Sequence, residues 1–171
     1  MALEWLFRSA SCFGGRRDYK VRFADHDLHH VAWQEYDGSG IFQTRVKVYN
    51  GNDAAPQWLS VDGNGAEGLN RSSSFDVQGV RLAVSNCQLY ATWFENNVPG
   101  KSQIRVAVYN GNDLAPQWTF VDGGNLSSGI NRFAALNARN PSLVSFNGLL
   151  SVLWEENKGG GVYQIRFAQG Q

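Results

Sequence analysis

Residues 45–63, RVKVYNGNDAAPQWLSVDG, recur at residues 105–123 as RVAVYNGNDLAPQWTFVDG, with 15 of 19 positions identical at an offset of 60. Identity over such a length does not arise by chance, and a fixed period of this kind indicates a repeat architecture. The repeat continues outside this stretch, because VAWQE at 31–35 corresponds to ATWFE at 91–95 and to VLWEE at 152–156. The chain therefore contains three copies of a unit of 60 to 61 residues, the last of them incomplete.

Each unit reads as four short β-strands joined by polar turns. In the second unit the strands are VRLAV, QLYATWFE, SQIRVAVYN and QWTFVD, which begin at residues 80, 88, 102 and 117. The turns between them are rich in Asn, Asp and Gly, as hairpins require. Four up-and-down strands followed by a longer polar link are typical of a propeller blade. The sequence thus predicts an all-β protein, a β-propeller with three four-stranded blades, with a solenoid as the alternative.

The strand count predicts how the ring closes. We expect one propeller segment over residues 1–171, with an N-terminal closing strand and link at 1–18, blade 1 at 19–62, blade 2 at 80–122, and blade 3 at 142–171 without its outer strand. Propeller rings need at least four blades. We therefore predict a homodimer that closes a six-bladed ring, in which the strand around Trp5 pairs with the strand Tyr163 to Phe167 of a second copy. The alternatives are a nine-bladed trimer, an open fragment that aggregates, and a disordered N-terminal extension of 17 residues.

Composition narrows the classes of partner. The apolar fraction is 43%, and 15 basic and 15 acidic side chains give a formal net charge of zero. A protein of this kind carries no electrostatic signature of nucleic-acid or membrane binding, so we expect neither partner. We find no signal peptide and no transmembrane segment, and the compartment stays open. Cys12 and Cys87 have no metal-binding spacing, and we expect them to be incidental thiols.

The units IRVAVYNGNDLAPQWTFVDG and SLVSFNGLLSVLWEE resemble the repeats of bacterial propeller-repeat proteins and, more distantly, those of sialidase-type and kelch-type propellers. The resemblance covers residues 19–171 and implies the propeller fold. The NGNDxAPQW turn lies where sialidase-like blades carry an Asp box, but it lacks the serine and glycine spacing of that box. The resemblance therefore implies the fold and no activity.

A set of four side chains recurs in every unit, with Trp and Glu two apart on the second strand and Gln and Arg two apart on the third. Residues two apart share one face of a strand, and the hairpin brings the two pairs together. An indole face flanked by fixed donors and acceptors suits a sugar, which stacks its C–H face and hydrogen-bonds its hydroxyls. The predicted carbohydrate-binding residues are Trp33, Glu35, Gln43, Arg45, Trp93, Glu95, Gln103, Arg105, Trp154, Glu156, Gln164 and Arg166. The alternative is a buried ion pair packed against a core Trp, repeated because the blade is repeated.

The remaining polar motifs give weaker indications. Asn70-Arg71 and Asn131-Arg132 lie in the links between units, where they contact a ligand or hold the link in place. His26, His29 and His30 occur in one unit only, and we expect packing histidines and no metal site. Hydrolysis requires a non-repeating set of acids, which we do not find.

The expected function is therefore a non-catalytic module that binds glycans, with no cofactor. The first alternative is a structural or self-assembling propeller with no small-molecule ligand. A sialidase-like glycoside hydrolase is the second.

Overall fold

The computed structural model describes residues 30–63, 68–97, 100–124, 126 and 128–170. In these residues the chain forms strands and no helix. The strands are β1 (His30–Tyr36), β2 (Phe42–Tyr49), β3 (Trp58–Ser60), β4 (Val77–Ser85), β5 (Gln88–Asn96), β6 (Ser102–Tyr109), β7 (Trp118–Phe120), β8 (Ala138–Phe146), β9 (Leu149–Asn157) and β10 (Tyr163–Gln169).

The strands form three antiparallel sheets in which neighbours in sequence are neighbours in space. The first sheet has the order β1-β2-β3, the middle sheet β4-β5-β6-β7, and the third sheet β8-β9-β10. The prediction of an all-β protein is confirmed, and the arrangement is consistent with a β-propeller. The predicted first strand of the first unit and the predicted strand around Trp5 lie outside the described residues. Ring closure and dimerisation stay predictions.

The three sheets pack face to face, one after another. Alternate residues of each strand point to opposite faces, so one sheet can contact a neighbour on each side. One apolar cluster joins the first sheet to the middle sheet, where Val46 and Val48 pack with Ala91 and Trp93. A second joins the middle sheet to the third, and its members include Ile104, Val106, Val152 and Trp154. Strand β6 contributes to both clusters, so the middle sheet is buried on both faces. Each fully buried side chain of this size stabilises the fold by about 1.5 to 3 kcal/mol.

The link that follows the first sheet folds back onto strand β2. The backbone N–H of Leu69 donates to the carbonyl of Thr44 at 2.9 Å. The Asn70 side chain accepts from the Thr44 N–H at 2.9 Å and donates to the carbonyls of Phe42 and Phe75 at 3.0 and 2.9 Å. Asn131 repeats this arrangement on β6 through the N–H of Ile104 at 2.8 Å. The two asparagines hold the links in place.

The turn between β4 and β5 contains an unusual cysteine. Asn86 and Cys87 both have positive φ, 47° and 62°, as a two-residue type I′ hairpin turn requires. The corresponding turn of the third sheet is Asn147-Gly148, with the glycine that this geometry favours. Cys87 is disulfide-bonded, so our expectation of an incidental thiol is wrong at this position. Cys12, the only other cysteine of the sequence, lies outside the described residues.

Replacing Cys87 by Gly should stabilise the reduced protein by about 0.5 to 1 kcal/mol, because glycine adopts a positive φ without the steric strain of a Cβ atom. Urea unfolding of the variant and the wild type, both with a reducing agent, measures this difference. Without the reductant the order should reverse, since only the wild type retains the disulfide. A reduced variant no more stable than the reduced wild type would contradict the prediction.

Candidate functional site

The strand register brings the four predicted side chains together in each sheet. Trp33 lies opposite Arg45 and Glu35 opposite Gln43 across the β1–β2 hairpin. The other two sheets repeat this register with the pairs Trp93/Arg105, Glu95/Gln103, Trp154/Arg166 and Glu156/Gln164. The three sets therefore have the same framework, and they differ in what surrounds them.

In the middle sheet all four side chains of the set are buried. Glu95 binds the link that precedes strand β4. Trp93 and Glu95 are both 0% exposed. The Glu95 carboxylate accepts three hydrogen bonds, from the Trp93 indole at 3.0 Å and from the backbone N–H groups of Arg71 at 2.9 Å and Ser72 at 3.1 Å. Burial raises the pKa of Glu95, and the bond from the Arg71 backbone is the largest effect in the opposite direction.

Arg105 holds the link that leaves the middle sheet. Its guanidinium is buried, lies 3.5 Å from the Asp122 carboxylate, and donates to the carbonyls of Leu126 and Ser128. Burial lowers the pKa of Arg105, and the nearby carboxylates of Glu95 and Asp122 oppose that shift. Glu95 and Arg105 therefore bind the two links that connect the middle sheet to the sheets before and after it.

The third sheet uses its set in the same way. The Glu156 carboxylate accepts from the Trp154 indole at 3.0 Å and from the backbone N–H groups of Arg132 and Phe133 at 3.1 and 2.8 Å. Trp154 is buried in the cluster shared with the middle sheet. Trp93 and Trp154 therefore present no open ring face to a ligand in this arrangement.

The first sheet carries the same set on a face that no described strand of another sheet covers. Glu35 is exposed and accepts a hydrogen bond from the Trp33 indole at 2.9 Å. Arg45 lies 3.5 Å from Asp62, and burial raises the pKa of Asp62 against the opposing effect of that guanidinium. A cavity of about 480 Å³ opens here, lined by Trp33, Glu35, Arg45, Lys47, Ser60, Asp62, Gly63 and Pro116.

Two departures from the repeat leave space at this cavity, on a face that no described strand of another sheet covers. In the middle sheet Phe120 packs edge-on against Trp93, with ring centroids 5.7 Å apart, and Ala107 lies alongside. In the first sheet Ser60 stands in the place of Phe120 and Lys47 in the place of Ala107. The Lys47 ammonium lies 5.9 Å from the Trp33 ring centroid. The sequence prediction missed Lys47, Ser60 and Asp62, although the first two are among the four mismatches between residues 45–63 and 105–123.

The described residues contain neither a metal-binding group of side chains nor a helix that could cross a membrane. No group of three or more His, Cys, Asp and Glu side chains among them is placed to hold a metal ion. His30 packs edge-on against Tyr109, with ring centroids 6.1 Å apart, whereas His26 and His29 fall outside the described part of the sequence. Within that part, no helix has the length and apolar character needed to cross a membrane.

Comparison with known proteins found distant structural likenesses. No protein-family model and no curated protein matches the sequence. Two solved structures match, one described as an RGII complex and the other as a glycoside hydrolase. Each has a TM-score of 0.44 and 13% sequence identity, and each match covers 84% of this chain. The match spans 41% of the length of each of these structures, and the likeness is one of distant all-β fold.

These matches correct one expectation. The sequence led us to expect a protein without catalytic activity, and the structural neighbours include one named a glycoside hydrolase. That finding overturns the expectation, which rested on the repetition of the acidic residues. At this TM-score the likeness assigns no activity to the protein.

Proposed function

We propose that this protein interacts with carbohydrate through the cavity beside Trp33. One observation supports the proposal most strongly: the first sheet has Ser60 and Lys47 where the middle sheet has the packed Phe120 and Ala107, and an open cavity lies against the indole. Its volume, about 480 Å³, lies within the range of small-molecule sites.

The groups around the cavity match the chemistry of a sugar. The partly exposed Trp33 ring provides an apolar surface for the C–H face of a pyranose. Glu35 and Asp62 provide acceptors for hydroxyl groups, and Lys47 provides a donor on the same wall. The bond from the Trp33 indole to Glu35 and the Arg45–Asp62 pair fix the two carboxylates before a ligand arrives. Such preorganisation lowers the entropic cost of binding.

Filling the cavity should abolish binding. We expect the wild type to retain a subset of sugars on a glycan array, and Ser60→Phe to weaken binding of those sugars at least tenfold, because the added ring occupies the space beside Trp33 as Phe120 does beside Trp93. Titration followed by tryptophan fluorescence measures the affinity.

Leu59→Phe is the matched control, since residue 59 is the strand neighbour of Ser60 and points to the opposite face. This variant should have the sugar affinity of the wild type. A wild type that retains no glycan, or a Ser60→Phe variant with unchanged affinity, would refute the proposal.

A further inference from the structure

The outward face of the third sheet carries several exposed apolar side chains beside the exposed Arg139–Glu155 ion pair. Ile165 and Phe167 of β10 are 70% and 60% exposed, and the Phe146 side chain at the end of β8 is 74% exposed. Val144 and Leu149 are also exposed on this sheet. Several large apolar side chains exposed on one face of a sheet are a feature of interaction sites.

The repeat shows what covers this kind of face. The residues of the middle sheet that correspond to Ile165 and Phe167 are Ile104 and Val106, which are 0% and 3% exposed. They are covered by the face of the third sheet that carries Trp154 and Val152. The first sheet is covered in the same way, since Val46 and Val48 lie under the face of the middle sheet that carries Trp93. In both interfaces, the aliphatic face of one sheet meets the tryptophan face of the next.

The first sheet presents a tryptophan face that no described strand of the middle or third sheet covers. Trp33 lies on it with the tilted ring pair Tyr49 and Trp58, whose ring centroids are 5.3 Å apart. The equivalent pair of the middle sheet, Tyr109 and Trp118, has a similar tilted arrangement at 5.0 Å. It lies against the first sheet, where the Trp118 indole donates to the Val61 carbonyl at 2.7 Å. Trp58 is 47% exposed. The two ends of the three-sheet array therefore carry the two halves of the interface that the array uses internally.

We propose that two copies of the protein associate, with the third sheet of each against the first sheet of the other. Because propellers have about four to eight blades and each copy supplies three, two copies are the number that closes a ring. The two contacts are related by a two-fold axis, and both exposed faces are covered at once. This inference stands without the proposed carbohydrate binding, and the two compete for one face. The third sheet of a second copy would cover Trp33 as the first sheet covers Trp93, so a sugar at this cavity would bind the separated copy.

Light scattering on a sizing column tests the association. We expect the wild type to have twice the mass of one 19.0 kDa chain, and Phe167→Glu to have the mass of one copy with an unchanged circular dichroism spectrum, because a buried carboxylate opposes docking of this face. Leu114→Glu is the control: Leu114 is 96% exposed on a turn of the middle sheet, and this variant should keep the double mass. If Phe167→Glu does not fold, Ile165→Glu replaces it.

Other masses would overturn the proposal. A wild type with the mass of one copy would mean that the protein's own residues outside the described ranges, or nothing, cover the faces. A mass of three or more copies would exclude the two-copy ring, and a Phe167→Glu variant with the wild-type mass would exclude the third sheet as the contact.

The Ser60→Phe variant separates this proposal from carbohydrate binding. Restoring the aromatic residue of the repeat makes the first sheet more like the internal interface, so this variant should keep the double mass while it loses sugar binding. A Ser60→Phe variant with the mass of one copy would contradict head-to-tail docking on the first sheet. Loss of sugar binding alone bears only on the carbohydrate site.

Discussion

A Glu95→Ala variant should lose about 3 to 5 kcal/mol of its free energy of unfolding. The substitution leaves the Trp93 indole and the backbone N–H groups of Arg71 and Ser72 without their acceptor in the interior. It also removes a negative charge that stabilises the buried Arg105 guanidinium. Since small domains are stable by only about 5 to 15 kcal/mol, this change is a large fraction of the total. Urea unfolding followed by circular dichroism measures the loss.

Glu35→Ala is the matched control for this prediction. Glu35 occupies the same position of the repeat, but it is exposed and accepts its hydrogen bond from the Trp33 indole at the surface. We expect the substitution to lower the free energy of unfolding by less than about 1 kcal/mol, as surface substitutions do. Equal losses in the two variants would mean that Glu95 does not anchor the link.

The second large effect is expected at Gly68, where the link meets strand β2. A Cβ atom at this position would overlap the Thr44 carbonyl oxygen, and the backbone has a φ of +62°. That carbonyl cannot move away, because it accepts the N–H of Leu69 at 2.9 Å. Gly68→Ala should therefore destabilise the protein by about 3 kcal/mol or more, through backbone strain together with displacement of the link.

A Gly100→Ala variant measures the cost of a positive φ alone, without the overlap of a Cβ atom with a neighbouring atom. Gly100 has a φ of +82°, and a Cβ atom there would meet no atom within 4 Å. This variant should lose only about 1 to 2 kcal/mol, the cost of the positive φ. Thermal unfolding of both variants gives the comparison, and a Gly68→Ala variant as stable as Gly100→Ala would mean that the link does not need its close approach to Thr44.

The sequence predicted the strands well because the turn residues between them recur at the same positions of each unit. The main difference lies at the first strand of the second and third units. Strand β4 begins at Val77, three residues before the predicted VRLAV, because a register irregularity between Gln78 and Arg81 lets pairing with β5 continue past Gly79. Such an irregularity is a property of the paired strands, which a single strand's sequence pattern does not show.

The candidate site was predicted less completely, and the reason is physical. The Trp, Glu, Gln and Arg positions are the same in all three units, so the repeat alone does not distinguish the buried sets at Trp93 and Trp154 from the open one at Trp33. What distinguishes them is the neighbouring sheet and the residues at positions 47 and 60. Lys47 and Ser60 were visible as mismatches, but their effect depends on the packing of Phe120 against Trp93.

Nitrogen–proton spectroscopy of the indole groups tests carbohydrate binding at the first sheet most directly. The protein has six tryptophans, and each indole N–H gives its own resonance, assigned by single Trp→Phe variants. On addition of a sugar that the array retains, we predict that the Trp33 resonance shifts and saturates with sugar concentration, while those of Trp93 and Trp154 stay in place. A spectrum in which the Trp33 resonance does not move, or in which Trp93 or Trp154 moves instead, would contradict binding at this cavity.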